Sequence, residues 1–482
     1  MSAEVEGVVK ELLVTEFKVD EDKIGSGATF REMGLDSLDV VYCQSWPYDD
    51  PPARLAAAVG ASPRRAVYSG IGGTTPLSLL GAAAERIVTG ESDVCAVVAG
   101  EALGTVRRLK KEGARPSWSH RDPVKRPFPF EAPFHPSEVA HQIFQAYTTF
   151  AMRDVARRAH EGLSVDEHRA VMGALFAPMT PVAAANPYAW FPVERSAAEL
   201  VEATPSNRVV AHPYTKLLTS IMDVDLAAAF VVASEEAADR LGVPADRRVY
   251  VRGWGEDRDP DYVAEHPDLW RAPAMANAFR GALARAGLGV DDIARFDLYS
   301  CFPSSVLFSL DALGLDPGDR RAPFTVTGGL PYAGGPGSGY AVGSVAAMAD
   351  ELVADPGSLG MVTAVGMHLS KHAAVVLSTG RGAASESAAS ESAAAPASPS
   401  PRRPIVDTVD GAATIAAYTV HHAGDGSPTE ALLVGDVEGG NRCYGRATDA
   451  GLLAAMEAEE FVGRQVVLRP DGQVNMVVDS GG

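Results

Sequence analysis

Residues 325–340 read TVTGGLPYAGGPGSGY, and six of these sixteen positions are glycine. Glycine is favoured where the backbone turns tightly or approaches another group closely. The run resembles a phosphate-binding loop, but no Lys-Ser or Lys-Thr pair follows it and the surrounding pattern is not that of a dinucleotide-binding unit. We therefore interpret these residues as a tight turn at a functional site.

The segments around this turn alternate between strands and helices. Residues 65–71 (RAVYSGI) predict a strand and residues 75–90 a helix, while residues 225–234 (DLAAAFVVAS) predict a buried strand. Residues 294–300 (ARFDLYS) predict a strand that runs into a helix at 303–314. This alternation is typical of an α/β protein with mainly parallel sheets.

Two of these units are similar to each other. Residues 67–70 (VYSG) and 298–301 (LYSC) each end a strand in Tyr-Ser and a small residue just before a helix, which predicts two related halves. Between them, residues 105–211 are irregular and rich in Pro, His and aromatic residues. We expect a long loop domain that lies over a site.

Composition limits the class of partner. The 482 residues carry a formal net charge of −20, which argues against a nucleic-acid or anionic-membrane surface because both need clustered cations. The four cysteines form no CxxC pair and have no paired histidines nearby, so we expect neither a zinc site nor a disulfide framework. The first residues lack the basic start of a signal peptide, and no apolar run is long enough to span a bilayer. We expect a cytoplasmic protein.

A low-complexity segment separates a tail from the main body. Residues 381–403 are mostly Gly, Ala, Ser, Glu and Pro, which cannot bury a core, and we interpret them as a disordered linker. Residues 404–482 predict short strands separated by glycine turns, with one short helix at 452–459. A small β-barrel is the expected architecture of this tail.

Residues 1–41 resemble the first part of an acyl carrier protein. They contain a predicted helix, EVEGVVKELLVTEF at 4–17, and the Asp36-Ser37-Leu38 signature, whose serine carries phosphopantetheine in carrier proteins. One expectation is therefore phosphopantetheine on Ser37, and the alternative is that Asp36 and Ser37 cap a helix. The remainder of a carrier domain is missing, because SWPYDDPPARL begins at residue 45.

From residue 42 onward the chain resembles the thiolase-like proteins, related to SCP-2 type thiolases, that carry an extra carboxy-terminal domain. The resemblance implies an α/β thiolase fold with two related βαβαβαββ halves, layered α-β-α-β-α, at residues 42–211 and 212–380, followed by the tail barrel. The strand and helix that open the family's first half have no clear counterpart, so residues 1–45 either substitute for them in part or leave this half compromised. The matching stretches are YSGIGGTTP (68–76), HPYTKLLTSIMDVDLAAAFVVAS (212–234), DLYSCFPSSV (297–306), TVTGGLPYAGGPGSGY (325–340) and GMHLSKHAAVVLSTGRG (366–382).

Every position that matches a standard thiolase catalytic residue carries something else. The resemblance places the nucleophilic cysteine, at a helix amino terminus where the thiolate is favoured, at Gly73. The histidine of the Gly-His-Pro turn falls at Gly335, between Gly334 and Pro336, and the second cysteine falls at Ala364. Tyr299 stands where the family has Asn or His at a strand end. Covalent acyl transfer is therefore in doubt.

Other side chains could supply chemistry instead. Tyr299 takes the oxyanion-hole position, where a phenol can donate a hydrogen bond or shuttle a proton, and Tyr340 follows the glycine turn. His368 and His372 could supply a base near neutral pH, and Cys301 a nucleophile. Each has a purely structural alternative: a packed tyrosine with a satisfied hydroxyl, a histidine that caps a strand, or a small buried cysteine.

The resemblance implies coenzyme A or acyl-CoA as the ligand. Besides the turn at Gly334 and Gly335, the one basic cluster of this acidic chain could bind the CoA phosphates, although a solvated charged face is an equal alternative. The cluster consists of Arg107, Arg108, Lys110, Lys111 and Arg115.

Three functions are compatible with these residues. The first expectation is the family-level description, an acyl-CoA acyltransferase of the acetyl-CoA acetyltransferase class. The second is a retro-aldol carbon–carbon lyase on β-hydroxyacyl-CoA that uses Tyr299 and Tyr340, with the tail barrel as its small OB-type partner in cis. The third is a non-catalytic binding protein for acyl-CoA or an acyl carrier protein. Both a dimer and a monomer are compatible with the resemblance.

Overall fold

The computed structural model describes residues 34–124, 134–382 and 401–480, so the predicted helix at 4–17 and most of the predicted linker lie outside the described residues. The strands, in chain order, are β1 (Ser37–Val40), β2 (Arg65–Tyr68), β3 (Val94–Ala102), β4 (Val209–Ala211), β5 (Tyr214–Thr215), β6 (Asp225–Ala233), β7 (Tyr250–Arg258), β8 (Arg295–Asp297), β9 (Leu359–Gly366), β10 (Lys371–Ser378), β11 (Gly411–His422), β12 (Pro428–Asp436), β13 (Arg442–Ala447), β14 (Gln465–Asp471) and β15 (Val474–Asp479).

The helices connect these strands in the alternation that the sequence predicts. Within the described ranges, none of them is long and apolar enough to cross a membrane. The α-helices are α1 (Pro51–Ala58), α2 (Thr75–Val88), α3 (Leu103–Lys111), α4 (Pro136–Ala140), α5 (Ala146–Glu161), α6 (Val165–Phe176), α7 (Met179–Ala185), α8 (Ala197–Val201), α9 (Glu235–Arg240), α10 (Pro273–Ala286), α11 (Pro303–Leu313), α12 (Tyr340–Ala354) and α13 (Ala450–Ala458). Short 3-10 helices lie at Lys216–Leu218, Ala245–Arg247, Val263–Glu265, Val290–Asp292, Gly337–Gly339 and Glu438–Gly440.

The first sheet has the strand order β2-β1-β3-β6. Strand β1 runs parallel to β2 and β3, and it is buried along its whole length because it lies inside the sheet. Ser37 is the first residue of β1 and is fully buried, with its hydroxyl accepting a hydrogen bond from Arg86 at 3.3 Å. The structure thus corrects both interpretations of Ser37: no helix begins there, and its hydroxyl is not accessible to a phosphopantetheine arm.

Strand β6 is the edge of this sheet and differs from its prediction. The uniformly apolar sequence predicts a fully buried strand, but Ala227, Ala229 and Val231 are exposed, and 45% of Val231 is accessible. In the described part of the chain β6 pairs only with β3, in antiparallel orientation, so its other edge and part of one face remain uncovered. Sequence alone cannot distinguish an apolar central strand from an apolar edge strand.

The second sheet has the order β7-β10-β9-β8. Strand β8 is parallel to β9, while β10 is antiparallel to both β9 and β7. Helices α2 and α12 lie between the two sheets and contact strands of both, which gives the layered arrangement that the sequence predicts. The main hydrophobic core fills this middle layer, with Leu80 of α2 and Val345 of α12 among its buried members.

The two halves are related by strand pairing. In each sheet a parallel pair, β1–β3 or β8–β9, is followed by one antiparallel strand, β6 or β10. The prediction of two related halves is confirmed, but the two Tyr-Ser segments behind it are not equivalent. The segment at 67–70 ends β2, which lies at the outer edge of its sheet and pairs only with β1 there. The segment at 298–301 follows β8, which takes the position in the second sheet that β1 takes in the first.

The segment predicted as a loop domain is largely helical. Helices α5, α6 and α7 follow one another between residues 146 and 185, and α5 is buried on most sides. The sequence analysis predicted irregular structure here because α5 contains several arginines, and a helix with several charged residues does not have the sequence pattern of a core helix. Arg153 is nevertheless fully buried, and its guanidinium donates to the backbone carbonyls of Leu269, Leu369 and Arg271.

The tail forms the predicted barrel. Strands β12, β13, β15, β14 and β11 pair in that order, and pairing of β11 with β12 closes the ring. The predicted helix of the tail is α13, which packs on β12. Strand β4 of the main body adds to the free side of β11 at Ala211 and His421, so the barrel and the body share one sheet.

Candidate functional site

Segments that are far apart in the sequence meet at the amino terminus of α2. A Cβ atom built on Gly73 would lie 2.2 Å from the backbone oxygen of Val365 and 2.7 Å from the hydroxyl of Tyr299. The glycine turn joins them, because Ser338 Oγ accepts a hydrogen bond from the backbone N–H of Gly72 at 3.0 Å. The segments that match thiolase active-site motifs therefore converge in space, although their usual side chains are missing.

Gly73 has no room for any side chain. Real Cβ atoms do not approach other heavy atoms to 2.2 Å, and the atom in the way is a backbone oxygen that cannot rotate aside. A cysteine at this position would require the end of β9 or the start of α2 to move. The space that a nucleophile's side chain would need is occupied by Val365 and by the Tyr299 phenol.

Tyr299 is held by its backbone just after β8. Its N–H donates to Thr363 Oγ1 on β9 at 3.0 Å, and its carbonyl accepts from Ser305 Oγ on α11. The ring meets that of Tyr340 edge-on, with 5.5 Å between centroids. Burial raises the pKa of Tyr299 well above its usual range, so the phenol is neutral and can donate a hydrogen bond at physiological pH.

The glycine turn is less crowded than Gly73. Gly334 has a φ of +113°, which other residues rarely adopt, and a Cβ atom on Gly335 would lie 2.2 Å from Ser220 Oγ. Ser220 Oγ is a side-chain atom that can rotate aside, and the nearest backbone atom, the Ile221 oxygen, lies 3.4 Å from this Cβ position, so a side chain at residue 335 requires only a different Ser220 rotamer. The two glycines thus shape the turn, and whether they contact a cofactor stays a prediction.

Tyr340 begins α12, and its hydroxyl points into a buried polar network. It pairs with Thr327 Oγ1 at 2.6 Å and donates to Asp297 Oδ1 at 3.3 Å. Asp297 also accepts from Ser344 Oγ at 2.9 Å and from the Val326 N–H at 2.9 Å. Burial raises the pKa of the Asp297 carboxyl and of the Tyr340 hydroxyl. Tyr340 therefore contacts Tyr299 with its ring, while its hydroxyl is engaged elsewhere.

The predicted nucleophile, Cys301, is buried, and each of the two predicted bases has a hydrogen-bond partner. Cys301 is buried, which raises the pKa of its thiol to about 12. His372 Nε2 lies 3.0 Å from Asp259 Oδ2, and burial lowers the pKa of His372 despite this partner. His368 Nδ1 lies 2.9 Å from Thr149 Oγ1, and burial lowers its pKa to about 4. Neither histidine is protonated near neutral pH.

The basic cluster lies on α3 and beyond its end. Arg107 pairs with Asp223, and Arg108 lies 3.6 Å from Glu112, so two of the cations already have acidic neighbours. Helix α3 has no buried residue, which fits the alternative of a solvated charged face. CoA binding by this cluster stays a prediction.

Trp190 connects this helix to the glycine turn, and the sequence analysis did not single it out. A Cβ atom on Gly104 of α3 would lie 3.1 Å from the Trp190 ring, while the backbone N–H of Trp190 donates to the carbonyl of Ala333 at 3.1 Å. The Trp190 side chain is 39% exposed. Its stretch, ANPYAWFP at 185–192, was expected to lie over a site, and the contact with the turn agrees with that expectation.

A cavity of about 880 Å³ lies elsewhere, between helices α6 and α8 on one side and the tail barrel on the other. Its walls include Arg169, Arg208, His212, His422 and Glu457. It does not reach the residues around Gly73, so it is separate from the convergence of the thiolase-like motifs. Within the described ranges, no group of three or more His, Cys, Asp or Glu residues is placed to hold a metal ion.

Known structures show the same architecture. One is the crystal structure of a monomeric SCP2-thiolase-like protein type 1 from Mycobacterium smegmatis, which is 31% identical, covers 94% of this chain and 92% of its own, and gives a TM-score of 0.79. A second, described as the Ltp2-ChsH2(DUF35) aldolase, is 18% identical, with coverage of 72% and 88% and a TM-score of 0.53. The second likeness concerns the fold alone.

The tail has its own family match. Residues 396–473 match the family described as the thiolase-like protein type 1 additional C-terminal domain. No curated protein is similar at a significant level. Both the thiolase-like body and the additional domain predicted from the sequence are thereby confirmed, and the chain belongs to the family of SCP2-thiolase-like proteins type 1.

Proposed function

We propose that this protein binds acyl-CoA thioesters without forming a covalent acyl-enzyme, and that Tyr299 donates a hydrogen bond to the thioester carbonyl. One observation carries the proposal: the Tyr299 hydroxyl lies 2.7 Å from the place where a Cβ atom on residue 73 would stand. The Tyr299 hydroxyl, a neutral hydrogen-bond donor, therefore lies next to the position at which thiolases carry their nucleophile. Donors in this position stabilise negative charge on a carbonyl oxygen.

The described residues around Tyr299 offer no reactive thiolate. Burial raises the pKa of the Cys301 thiol to about 12, so this thiol is protonated at neutral pH, and its side chain is buried. Gly73 and Ala364 have no nucleophilic atom at all. These features support binding over the acyltransferase description that the family resemblance suggests.

The surface of α3 supports a CoA ligand. Gly104, Arg107 and Lys111 are spaced i, i+3 and i+7, so they share one face of the helix, and the Trp190 ring lies against this face at Gly104. Cations suit the CoA phosphates and an exposed indole suits stacking with adenine. Because Trp190 also bonds to the glycine turn, this face is connected to the segment that leads to Tyr340.

A second candidate is a carbon–carbon lyase. Retro-aldol cleavage needs a base for the β-hydroxyl group and a donor for the enolate that forms. The contact between Tyr340 and Asp297 offers a tyrosine with a carboxylate behind it, next to the Tyr299 donor. A structure with the same fold is described as an aldolase. Release of an aldehyde or ketone from β-hydroxyacyl-CoA would favour this candidate over binding alone.

The test compares two buried tyrosines near the turn. Tyr299→Phe removes the hydrogen-bond donor to the thioester carbonyl of the bound acyl-CoA. Because the loss of one neutral hydrogen bond costs about 1 kcal/mol, we expect the acyl-CoA affinity measured by calorimetry to fall about 3- to 10-fold. Tyr332→Phe is the matched control, because the Tyr332 hydroxyl is buried with no hydrogen-bond partner among the described residues. Equal affinities of the two variants would contradict the proposed role of Tyr299.

A further inference from the structure

The cavity of about 880 Å³ is formed jointly by the main body and the tail barrel. One side consists of residues from α6, from α8 and from the chain that follows α8. The other side consists of the turn between β11 and β12 together with Glu457 of α13. The two parts are joined where β4 pairs with β11, at Ala211 and His421. The additional domain therefore supplies part of the walls.

The cavity has an open mouth and a buried floor. Ala198, Ala203 and Asp425 are exposed residues of its walls and define the mouth. His212 and Thr215 are buried, with 5% and 3% of their surface accessible, and define the floor. Binding sites for small molecules commonly combine such a volume with mostly apolar walls and a few polar groups. The apolar residues of these walls include Val165, Val201, Pro205, Val209 and Pro213.

Arg208 supplies a cation that no carboxylate of the described residues neutralises. Its Nη1 donates to the carbonyl of the adjacent Val209 at 2.9 Å, and within the described ranges its side chain makes no other hydrogen bond and no ion pair. The other arginine of the walls, Arg169, is paired with Asp166 at 2.7 Å. Because a guanidinium has five N–H donors, most of those of Arg208 remain available to a ligand.

His212 provides a second donor, on the floor. Its Nε2 lies 3.3 Å from Arg158 Nη1, and since a guanidinium can only donate, this nitrogen accepts and the ring proton lies on Nδ1. Glu457 Oε1 is 3.9 Å from Nδ1, too far for a hydrogen bond. Burial and the nearby Arg158 and Arg169 lower the pKa of His212 to about 3, so the ring is neutral and keeps this one proton.

The carboxylates of the walls limit the charge of the ligand. Glu457 is engaged by His422, whose Nε2 lies 2.6 Å from Glu457 Oε1 and whose Nδ1 lies 2.8 Å from the Gly426 carbonyl oxygen. Burial lowers the pKa of His422, but these two hydrogen bonds outweigh burial and leave the pKa raised. Glu202 and Asp425 also line the cavity without a cationic partner in the described part of the chain. They repel a dianion such as phosphate more strongly than a monoanion.

We propose that this cavity binds a monocarboxylate with an apolar body, whose carboxylate accepts hydrogen bonds from Arg208 and His212. The fork of an arginine matches the two oxygens of a carboxylate, and the apolar walls favour a hydrocarbon body. The site is separate from Tyr299, so it does not depend on the proposed binding of acyl-CoA. The additional domain then completes a second ligand site.

Calorimetry on the full chain with decanoate as the probe tests this site. Decanoate should bind the wild type, and Arg208→Met should weaken binding about 10- to 100-fold, because hydrogen bonds to a charged group are lost. Arg280→Met is the matched control, since Arg280 is an exposed arginine of α10 outside the walls, and it should leave the affinity unchanged. Inorganic phosphate should not bind at Arg208.

Three outcomes would overturn the proposal. Absence of decanoate binding to the wild type would mean that the cavity is not such a site. Equal decanoate affinity of the wild type and Arg208→Met would place the acid elsewhere, including the site around Tyr299. Phosphate binding that is lost in Arg208→Met would identify a site for inorganic anions instead.

A second variant keeps the test decisive if Arg208→Met lowers the thermal unfolding midpoint. Ala198→Trp places a large ring in the mouth of the cavity from an exposed position of α8, where the fold has room for it. Decanoate binding should be lost in this variant, while its unfolding midpoint stays that of the wild type. Unchanged decanoate affinity of Ala198→Trp would overturn the proposal.

Discussion

The crowding at Gly73 can be tested with two glycines of one loop. Gly73→Ala places a methyl group 2.2 Å from the Val365 carbonyl oxygen and 2.7 Å from the Tyr299 hydroxyl. Gly70→Ala is the matched control, because a Cβ atom there meets nothing within 4 Å and Gly70 is exposed. Neither glycine has a φ in the left-handed region, so backbone strain does not enter the comparison.

The expected magnitude follows from the clash alone. Both replacements reduce the freedom of the unfolded chain by the same amount, about 0.4–1 kcal/mol, which cancels between the two variants. Relief of a backbone clash by shifts in a packed region costs about 1–3 kcal/mol. Gly73→Ala should therefore be less stable than Gly70→Ala by about 1–3 kcal/mol, a difference of several degrees in the unfolding midpoint.

The assay is thermal unfolding of both variants beside the wild type, followed by intrinsic fluorescence. A further variant, Gly73→Ala with Tyr299→Phe, should recover part of the loss, because it removes the hydroxyl that shares the crowded space. If Gly73→Ala is as stable as Gly70→Ala, the site has room for a side chain and the reasoning about the missing nucleophile is refuted.

Three further predictions concern buried polar groups. Burial raises the pKa of Glu138 to about 7, so between pH 4.5 and 7 the folded state keeps a proton that the unfolded state has released. The free energy of unfolding should therefore fall by about 3 kcal/mol as the pH rises from 4.5 to above 7. Glu138→Gln should remove this dependence in unfolding measurements across that range. Arg158→Ala removes a buried hydrogen-bond donor from Glu460 and from the Tyr418 hydroxyl and should cost about 1–3 kcal/mol in denaturant unfolding, because Glu460 is partly exposed. Arg169→Ala on the exposed side of α6 should cost little. Iodoacetamide at pH 8 should modify the half-buried Cys43 before Cys301, as followed by peptide mass; faster reaction at Cys301 would show that its thiol is more accessible and more acidic than the structure indicates.

Much of the fold was predictable because local patterns agree with it. The Arg65–Tyr68 strand, the Thr75–Val88 helix and the Ala450–Ala458 helix lie within a few residues of their predicted positions, since apolar runs and glycine turns mark their limits. Strand β1 was missed because Asp36-Ser37-Leu38 imitates a motif of another family. Only the pairing with two neighbouring strands, which the sequence does not display, makes Ser37–Val40 a strand.

The convergence of the matched motifs was predictable, but the roles of their side chains were not. Gly73, Tyr299 and the glycine turn do meet, as the order of the motifs implied. The engagement of Tyr340 with Asp297 and Thr327 could not be foreseen, because their spacing along the chain shows no periodicity. Nor could Ser220 be found, since a lone serine carries no signal until the turn at Gly335 is placed against it.

The most direct test of the central claim is the intact mass of the protein after incubation with acetyl-CoA and with longer acyl-CoAs. The account predicts that acyl-CoA binds, as calorimetry on the same sample would show, while the protein mass stays that of the unmodified chain. A mass increase equal to the acyl group, stable to removal of excess acyl-CoA, would contradict the account and would locate a nucleophile that the described residues around Tyr299 do not provide.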